Sequence, residues 1–431
     1  MPDSHLGSKV SRRSFLLSQA ALAAGATAPL SALGATTMPQ AEAPVDYYDK
    51  LGVQTFLNAA GTYTDLTSAC MPDSVQAAVA LAAKRWVHIR ELQVKAGAYI
   101  ADRLKCEGCC VSNGAASALT LATVACLQAA NHCKPLDIPR LIGSAKYPKN
   151  EVITQTPYGY DEGILLTGAK IVVVNSLEEY KAAFNANTVM TNMENAAEVV
   201  KISQEDWLAI AHEHGVPCHL DAAADMPPIE NLWKYTQMGW DLVCFSGGKA
   251  LRGPQNAGLL LGKKKYTDLA NASLPPTEGV ARGMKVAKEQ IVGMVAAVDW
   301  ILTQSDESID KESRERLAVI AEMVKDIPSV KTSVIVPETA NHFPQLVIEF
   351  DPATIGASAR ELRARLASAT PAIEINPHTG STESSQGVPA EPNALVVVAL
   401  LLFPGQDAIV GRQIRNVLKN PKSVGTYDPA V

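Results

Sequence analysis

The apolar positions change period along the chain, and the changes predict alternating helices and strands. Residues 117–130 are rich in Ala and Leu at helical spacing, and residues 206–214 read as a helix closed by Gly215. Short unbroken apolar runs at 170–174, 217–220, 242–245 and 258–261 have the pattern of strands buried on both faces. Residues 109–112 predict a further strand just ahead of the Ala-rich helix. This alternation predicts a doubly wound α/β sheet. A helical pattern from Lys285 to about Gln304 runs into the polar segment 305–313, where a separate C-terminal unit begins. That unit has strand patterns at 345–349 and 394–402, helix patterns at 358–366 and 407–418, and a Gly/Ser/Glu-rich loop at 379–392, and so predicts a small α+β domain. The expected organisation is an N-terminal signal over 1–43, an arm over 44–90, a large domain over 91–304 and a small domain over 305–431.

Composition adds material for a core and removes one class of partner. The chain is 47% hydrophobic and 19% charged, which suits a globular protein. Thirty-eight basic and 44 acidic side chains give a net charge of −6 with no long basic run, so no nucleic-acid partner is expected. The opening residues change the picture more. Ser11-Arg12-Arg13-Ser14-Phe15-Leu16-Leu17 begins a weakly apolar stretch without further charge up to Gln40, followed by small residues at Ala41 and Ala43. Paired arginines in that setting predict a twin-arginine export signal, cleaved after Ala43 or at a competing site near Ala35, and a periplasmic or exported protein. The run is too short for a bilayer span and Pro29 breaks it, so no stable membrane insertion is expected. Of the eight cysteines, Cys106, Cys109 and Cys110 form a cluster without histidines or a second pair at zinc-ligand spacing. For an exported chain a disulfide is the better expectation there than a metal.

The chemistry lies in short constellations. Ser246-Gly247-Gly248-Lys249 follows an apolar strand, and a lysine on a glycine-rich turn can approach a carbonyl group as a Schiff-base nucleophile. Asp221 ends an earlier strand and is followed by Ala222-Ala223-Ala224, so a carboxylate stands beside small side chains. Asn113-Gly114-Ala115-Ala116-Ser117 joins a strand to a helix, where free backbone N–H groups make a site for a phosphate, and Ser246 can add a hydroxyl. A P-loop reading fails because Ala250 stands where Ser or Thr would hold magnesium.

Taken together, the run Phe245-Ser-Gly-Gly-Lys-Ala-Leu-Arg-Gly-Pro-Gln255, with Asp221-Ala-Ala-Ala and Asn58-Ala-Ala-Gly-Thr-Tyr-Thr64, resembles the selenocysteine synthase-like (L-seryl-tRNA(Sec) selenium transferase-related) family of fold-type-I enzymes that use pyridoxal 5'-phosphate. The resemblance runs from about Tyr48 to Leu418. It implies an aspartate aminotransferase-like large domain with a mainly parallel sheet, a small C-terminal domain, and a homodimer or higher homo-oligomer with sites at the subunit interface. It implies that Lys249 carries the cofactor as an internal aldimine, that Asp221 faces the ring nitrogen, and that Gly114, Ala115, Ala116 and Ser117 with Ser246 hold the phosphate. Arg282 and Lys285 become candidates for binding a substrate or cofactor anion, and Asn58, Tyr63 and Tyr158 for contacting substrate. Two departures stand out. Many relatives carry a histidine before Gly159-Tyr160-Asp161, where this chain has Pro157-Tyr158, and Tyr158 is the candidate substitute. Asp225 stands where the pattern has an amide, which bears on the groups a substrate can present.

The resemblance implies a small amine-bearing substrate, an amino acid or amino sugar acid, handled through an external aldimine and a carbanion, with α,β-elimination of the ammonia-lyase type as the lead reaction. Racemisation, aldol cleavage and transamination branch from the same carbanion. A non-catalytic periplasmic binding protein retaining the fold is a third reading, against which stands the joint presence of Lys249 and Asp221. Selenocysteine synthesis itself is not expected, since an exported acidic chain does not meet charged tRNA.

Overall fold

The computed structural model describes residues 45–196, 200–383 and 390–422. The segment read as an export signal lies outside these residues, as does the middle of the 379–392 loop. Residues 45–54 make a unit of their own, the short helix Tyr47–Leu51, whose Asp46 side chain accepts hydrogen bonds from the backbone N–H groups of Tyr48 and Asp49. The rest, from Thr55, is a second unit.

Among the described residues, twelve strands build this second unit: β1 (Phe56–Ala59), β2 (Gly108–Ser112), β3 (Glu151–Gln155), β4 (Lys170–Val174), β5 (Thr188–Glu194), β6 (Cys218–Asp221), β7 (Leu242–Ser246), β8 (Gly258–Gly262), β9 (Lys331–Ile335), β10 (Gln345–Glu349), β11 (Ala372–Ile375) and β12 (Ala394–Val398). Seven of them form the main sheet in the order β2-β8-β7-β6-β5-β3-β4. From β7 through β4 neighbours run parallel, and β8 alone is antiparallel to both of its neighbours. This is the mainly parallel, doubly wound α/β sheet that the apolar pattern predicts, and with the smaller sheets it makes the fold-type-I architecture. The second core gathers β10, flanked by antiparallel β9 and β12, with the parallel pair β1 and β11 and helices Asp306–Val324, Ala359–Ala367 and Gln406–Lys419. Helix Asp73–Ala83 packs instead on helix Lys288–Ile301. The segment before residue 90 is therefore divided: Ala59 is buried in the second core, while the helix lies against the first.

Two main-sheet strands, β3 and β5, were not legible as apolar runs, and in β5 the reason is visible in its side-chain partners. In β5, Thr191 accepts a hydrogen bond from the Trp207 indole at 3.0 Å, and Asn192 Oδ1 meets His219 Nδ1 at 2.7 Å. Buried polar side chains with partners inside the core cost little, so the sequence carries them through it and the apolar run is interrupted. Element ends also move. The Ala-rich helix begins at Gly114 rather than 117, and β6 extends to Asp221. All eight cysteines are free thiols, so the disulfide expected around Cys106, Cys109 and Cys110 is not formed. Cys109 and Cys110 are successive residues of one strand, which sends their side chains to opposite faces.

The sheet meets helix Gly114–Asn131 at glycine. A Cβ on Gly258 would lie 2.6 Å from the Gly114 carbonyl carbon and 2.9 Å from the Ala115 nitrogen. Backbone cannot retreat as a flexible side chain can, so Gly258→Ala is expected to cost roughly 1–3 kcal/mol by denaturant unfolding. Gly283→Ala, where a Cβ meets open space, should stay within about 0.5 kcal/mol. Equal stability of the two variants would show that the close approach is not a constraint.

Candidate active site

The C-terminal ends of β2, β5, β6 and β7 open onto one cavity of about 240 Å³. This is the edge at which open parallel sheets place their ligands, because the following helices begin there. The parallel register sets Glu194 of β5 directly beside Asp221 of β6, and Asp221 beside Cys244 of β7. Lys249, three residues past the end of β7, lines the same cavity with Ser246 and Asp225.

The Lys249 turn is shaped by close packing. A Cβ on Gly247 would lie 2.3 Å from Met294 Sδ, and one on Gly248 would lie 2.5 Å from Gln255 Cα. The turn closes through Gly247 N–H to Ala257 O and Gly253 N–H to Gly247 O, both 2.8 Å. Glycine is thus needed at 247 and 248 by the chain folding back on itself, a reason distinct from access to a carbonyl group. The segment Asn58–Thr64 is drawn onto this turn: Gln255 Nε2 donates to Thr64 O at 3.1 Å, and Ala69 N–H donates to Gly248 O at 3.1 Å.

Helix Gly114–Asn131 points its N-terminus into the cavity, with Gly114, Ala115 and Ala116 on the lining. Gly114 has φ +83°, and no atom lies within 4 Å of where its Cβ would be. Asn113 makes no side-chain cap to this helix, and its buried Oδ1 has no hydrogen-bond partner. The first-turn N–H groups therefore face open space beside small side chains, which is what an anion such as a phosphate requires. Ser117 lies on the first turn but outside the lining, whereas Ser246 is on it.

The charges are strongly coupled. Burial raises Asp221, against hydrogen bonds from Ala223 N–H at 3.0 Å and from Cys244 Sγ at 3.3 Å. Burial pushes Asp225 up to about 7, although Asn195 Nδ2 and Tyr235 Oη both donate to its Oδ2, at 2.5 and 2.9 Å. Burial, and then the Asp221 charge, push Glu194 up to about 9 despite a hydrogen bond from Tyr158. Lys249 is lowered by burial, which outweighs the pull of Asp221, Asp225 and Glu194. An amine held towards its neutral form is a nucleophile and a base, and Asp221 stands in the same cavity to neutralise a cationic ring nitrogen. These side chains and the helix N-terminus fit pyridoxal phosphate.

The expected site residues divide into three groups. Lys249, Asp221, Gly114, Ala115, Ala116, Ser246 and Tyr158 line the cavity together. Tyr63 lines an adjoining crevice that also reaches Lys249; its hydroxyl donates to Asn376 Oδ1 at 3.3 Å, and burial raises it to about 12. Asn58 lines neither: its amide donates to Gly61 O and Ser68 O and its Oδ1 accepts from Ala60 and Gly61 N–H, so it folds the turn that carries Tyr63. Arg282 and Lys285 are exposed and outside the cavity of this chain. Sequence reasoning missed Glu194, Asn195, Tyr160, Gln255 and Asn341, all on the lining. Asn341, at φ 52°, donates its backbone N–H to Ala224 O at 2.7 Å and so ties a loop ahead of β10 to the cavity rim. Elsewhere His212, Cys218 and Asp241 come within 4.8 Å of one another, but the Lys263 ammonium already stands 2.5 Å from Asp241.

A family model described as SelA, L-seryl-tRNA selenium transferase, matches residues 173–378. A 5'-C-glycyluridine monooxygenase-decarboxylase from a Streptomyces species is 28% identical over 78% of this chain and 86% of its own length. A D-glucosaminate-6-phosphate ammonia lyase from Salmonella typhimurium is 24% identical over 82% and 96%. A solved structure of D-glucosaminate-6-phosphate ammonia-lyase superposes with TM-score 0.73 at 22% identity, over 87% of this chain and 98% of that one. The fold and site define a fold-type-I architecture with a buried lysine–carboxylate centre. The sequence matches make this chain similar to enzymes of the selenocysteine synthase-like group.

The raised carboxyls have a signed consequence for stability. Asp225 titrates near 7 when folded and near its ordinary 3.8 when unfolded, so between those values the folded chain holds a proton the unfolded chain has released. The Asp225 contribution to stability is fullest below about 3.8 and is lost as pH rises through about 7. In cofactor-free protein, thermal melts from pH about 4 to about 7 should show this decline, and Asp225→Asn should flatten it. An unchanged slope in the variant would remove Asp225 as its source.

Proposed function

We propose that this chain is an exported pyridoxal-phosphate enzyme that releases ammonia from an amino acid or amino sugar acid by α,β-elimination. The observation that carries the reading is the convergence of Lys249, Asp221 and the open N-terminus of helix Gly114–Asn131 on one cavity. Lys249 and Asp221 would hold the cofactor's carbonyl and ring-nitrogen ends, and Gly114, Ala115, Ala116 and Ser246 its phosphate. When bound, the cofactor supplies an electron sink that acidifies the proton on the substrate's amine-bearing carbon. Lys249 Nζ, held towards neutrality by burial, is the base for that proton. Asp221, backed by Ala223 N–H and Cys244 Sγ, would balance positive charge on the cofactor's ring nitrogen. The Tyr158 and Tyr160 rings, 5.4 Å apart, wall one side. The likeness to an ammonia lyase in both sequence and fold supports elimination over the other outcomes at the same carbon.

Two further parts of the reading concern the setting. The twin-arginine pattern supports export of the folded, loaded protein through that machinery to the periplasm. Among the described residues no helix is long and apolar enough to cross a membrane. A homodimer is proposed as well: Leu81, Trp86, Val87 and Val94 are exposed in one stretch, Trp86 at 95%, a surface that a second copy would cover.

Protein loaded with pyridoxal phosphate should release ammonia and a keto acid in equal amounts from at least one amino acid or amino sugar acid. Lys249→Ala should lower that rate by at least about a thousandfold with the fold retained. Racemised substrate, or an amino group passed to an acceptor without free ammonia, would replace elimination by another reaction at the same carbon. Full biological activity in Lys249→Ala would instead favour the non-catalytic binding protein.

A further inference from the structure

A second cavity, of about 230 Å³, shares no lining residue with the first, yet two chain segments feed both. Asp225 lines the first cavity and Pro227 the second; Lys249 lines the first, and Ala250 and Arg252 the second. Arg252 N–H also donates to Lys249 O at 2.9 Å, so the turn that carries the lysine is one wall of the second cavity. The rest of that wall joins the two cores: Trp300 ends helix Lys288–Ile301, Arg316 is on helix Asp306–Val324, and Leu401 and Phe403 follow β12. Two guanidiniums thus stand beside a mainly apolar surface. Arg252 lies over the Trp300 ring, 5.5 Å from its centre, with Nε donating to Cys70 O at 2.9 Å. Its backbone sits at φ 54°, a conformation that is costly for a residue with a side chain and that its surroundings must hold. Burial lowers Arg252, partly offset by Cys70, and the Arg316 charge lowers it further, so the two cations oppose each other across the cavity. Glu312 answers Arg316 at 3.0 Å but is itself 60% exposed, where water weakens its charge. An anion between the guanidiniums would relieve the conflict, and the planar fork of arginine suits a carboxylate.

We propose that this cavity is a second ligand site, taking a small organic carboxylate with an apolar body, and that its occupancy is felt at the Lys249 turn. The carboxylate lies between Arg252 and Arg316, and the apolar body packs on Trp300, Leu401 and Phe403. The site goes beyond the proposed reaction and binds its ligand whether or not the cofactor is present; the link to the Lys249 turn rests on the cofactor reading.

Benzoate, its neutral isostere benzamide and inorganic phosphate test it, each titrated by calorimetry into protein loaded with pyridoxal phosphate. Benzoate should bind about tenfold tighter than benzamide, the worth of one charge-assisted hydrogen bond, and tighter than phosphate, which has no apolar body. In Arg316→Gln the advantage over benzamide should fall to under about threefold. Ser308 is exposed on the cavity's rim, and Ser308→Phe, which sets a ring across it, should weaken benzoate as well. Because coupling between sites is reciprocal, saturating benzoate should change the affinity for pyridoxal phosphate at least about fivefold in the unmodified protein and not in Arg316→Gln. Benzamide binding as tightly as benzoate, or benzoate binding unchanged in both variants, overturns the site. Phosphate binding as tightly as benzoate overturns the ligand class. Benzoate that binds without altering the affinity for pyridoxal phosphate overturns the link to the Lys249 turn. Protein that shows no near-visible band with pyridoxal phosphate overturns the cofactor reading, and its benzoate titration still decides the site.

Discussion

The structure turns on one electrostatic constraint, a lysine amine that shares one sheltered cavity with three carboxyl groups. Parallel pairing of β5 with β6 places Glu194 and Asp221 side by side at the same level of the sheet, pointing the same way. Like charges at that spacing in a sheltered cavity disfavour joint ionisation, so proton occupancy at the sheet edge is set by the backbone register. Lys249 is the counter-charge, and its own shift reports the same conflict from the other side, since burial outweighs even three acidic neighbours. Asp221 raises both Glu194 and Asp225, and Lys249 lowers both.

Close backbone approach holds that group in place. Gly258 lets the sheet touch the start of helix Gly114–Asn131, and Gly247 and Gly248 let the Lys249 turn pack on Met294 and Gln255. The second core takes part as well. Its loop reaches the rim through Asn341 N–H and Ala224 O, and Tyr63 spans from the Lys249 crevice to Asn376 beyond β11. The cavity rim is therefore held by contacts from both cores.

The parts of this arrangement that were legible in the sequence share a physical cause. Lys249, Asp221 and Gly114 each follow an unbroken apolar run or open an Ala-rich helix, so the strand-end logic of parallel sheets finds them. Glu194 ends a strand too, with Asn195 just after it, but Thr191 and Asn192 interrupt its apolar pattern because Trp207 and His219 satisfy them inside the core. His219 itself stays neutral, pushed down to about 3 by burial, so it adds no charge to the sheet. Asn341 was illegible for another reason: it reaches the site by a backbone hydrogen bond, which no side-chain pattern announces. Asn58 was misread in the opposite sense, as its motif marks a turn built by its side chain, with Tyr63 the residue that turn delivers.

The central claim is that Lys249 is the covalent anchor of pyridoxal phosphate in this cavity. Borohydride reduction of the loaded protein, followed by peptide mapping, tests it without requiring the substrate. The account predicts a pyridoxyl group on the peptide containing Lys249 and on no other, with loss of the near-visible band. A folded protein that acquires no pyridoxyl group, or acquires it on a different lysine, would contradict the account.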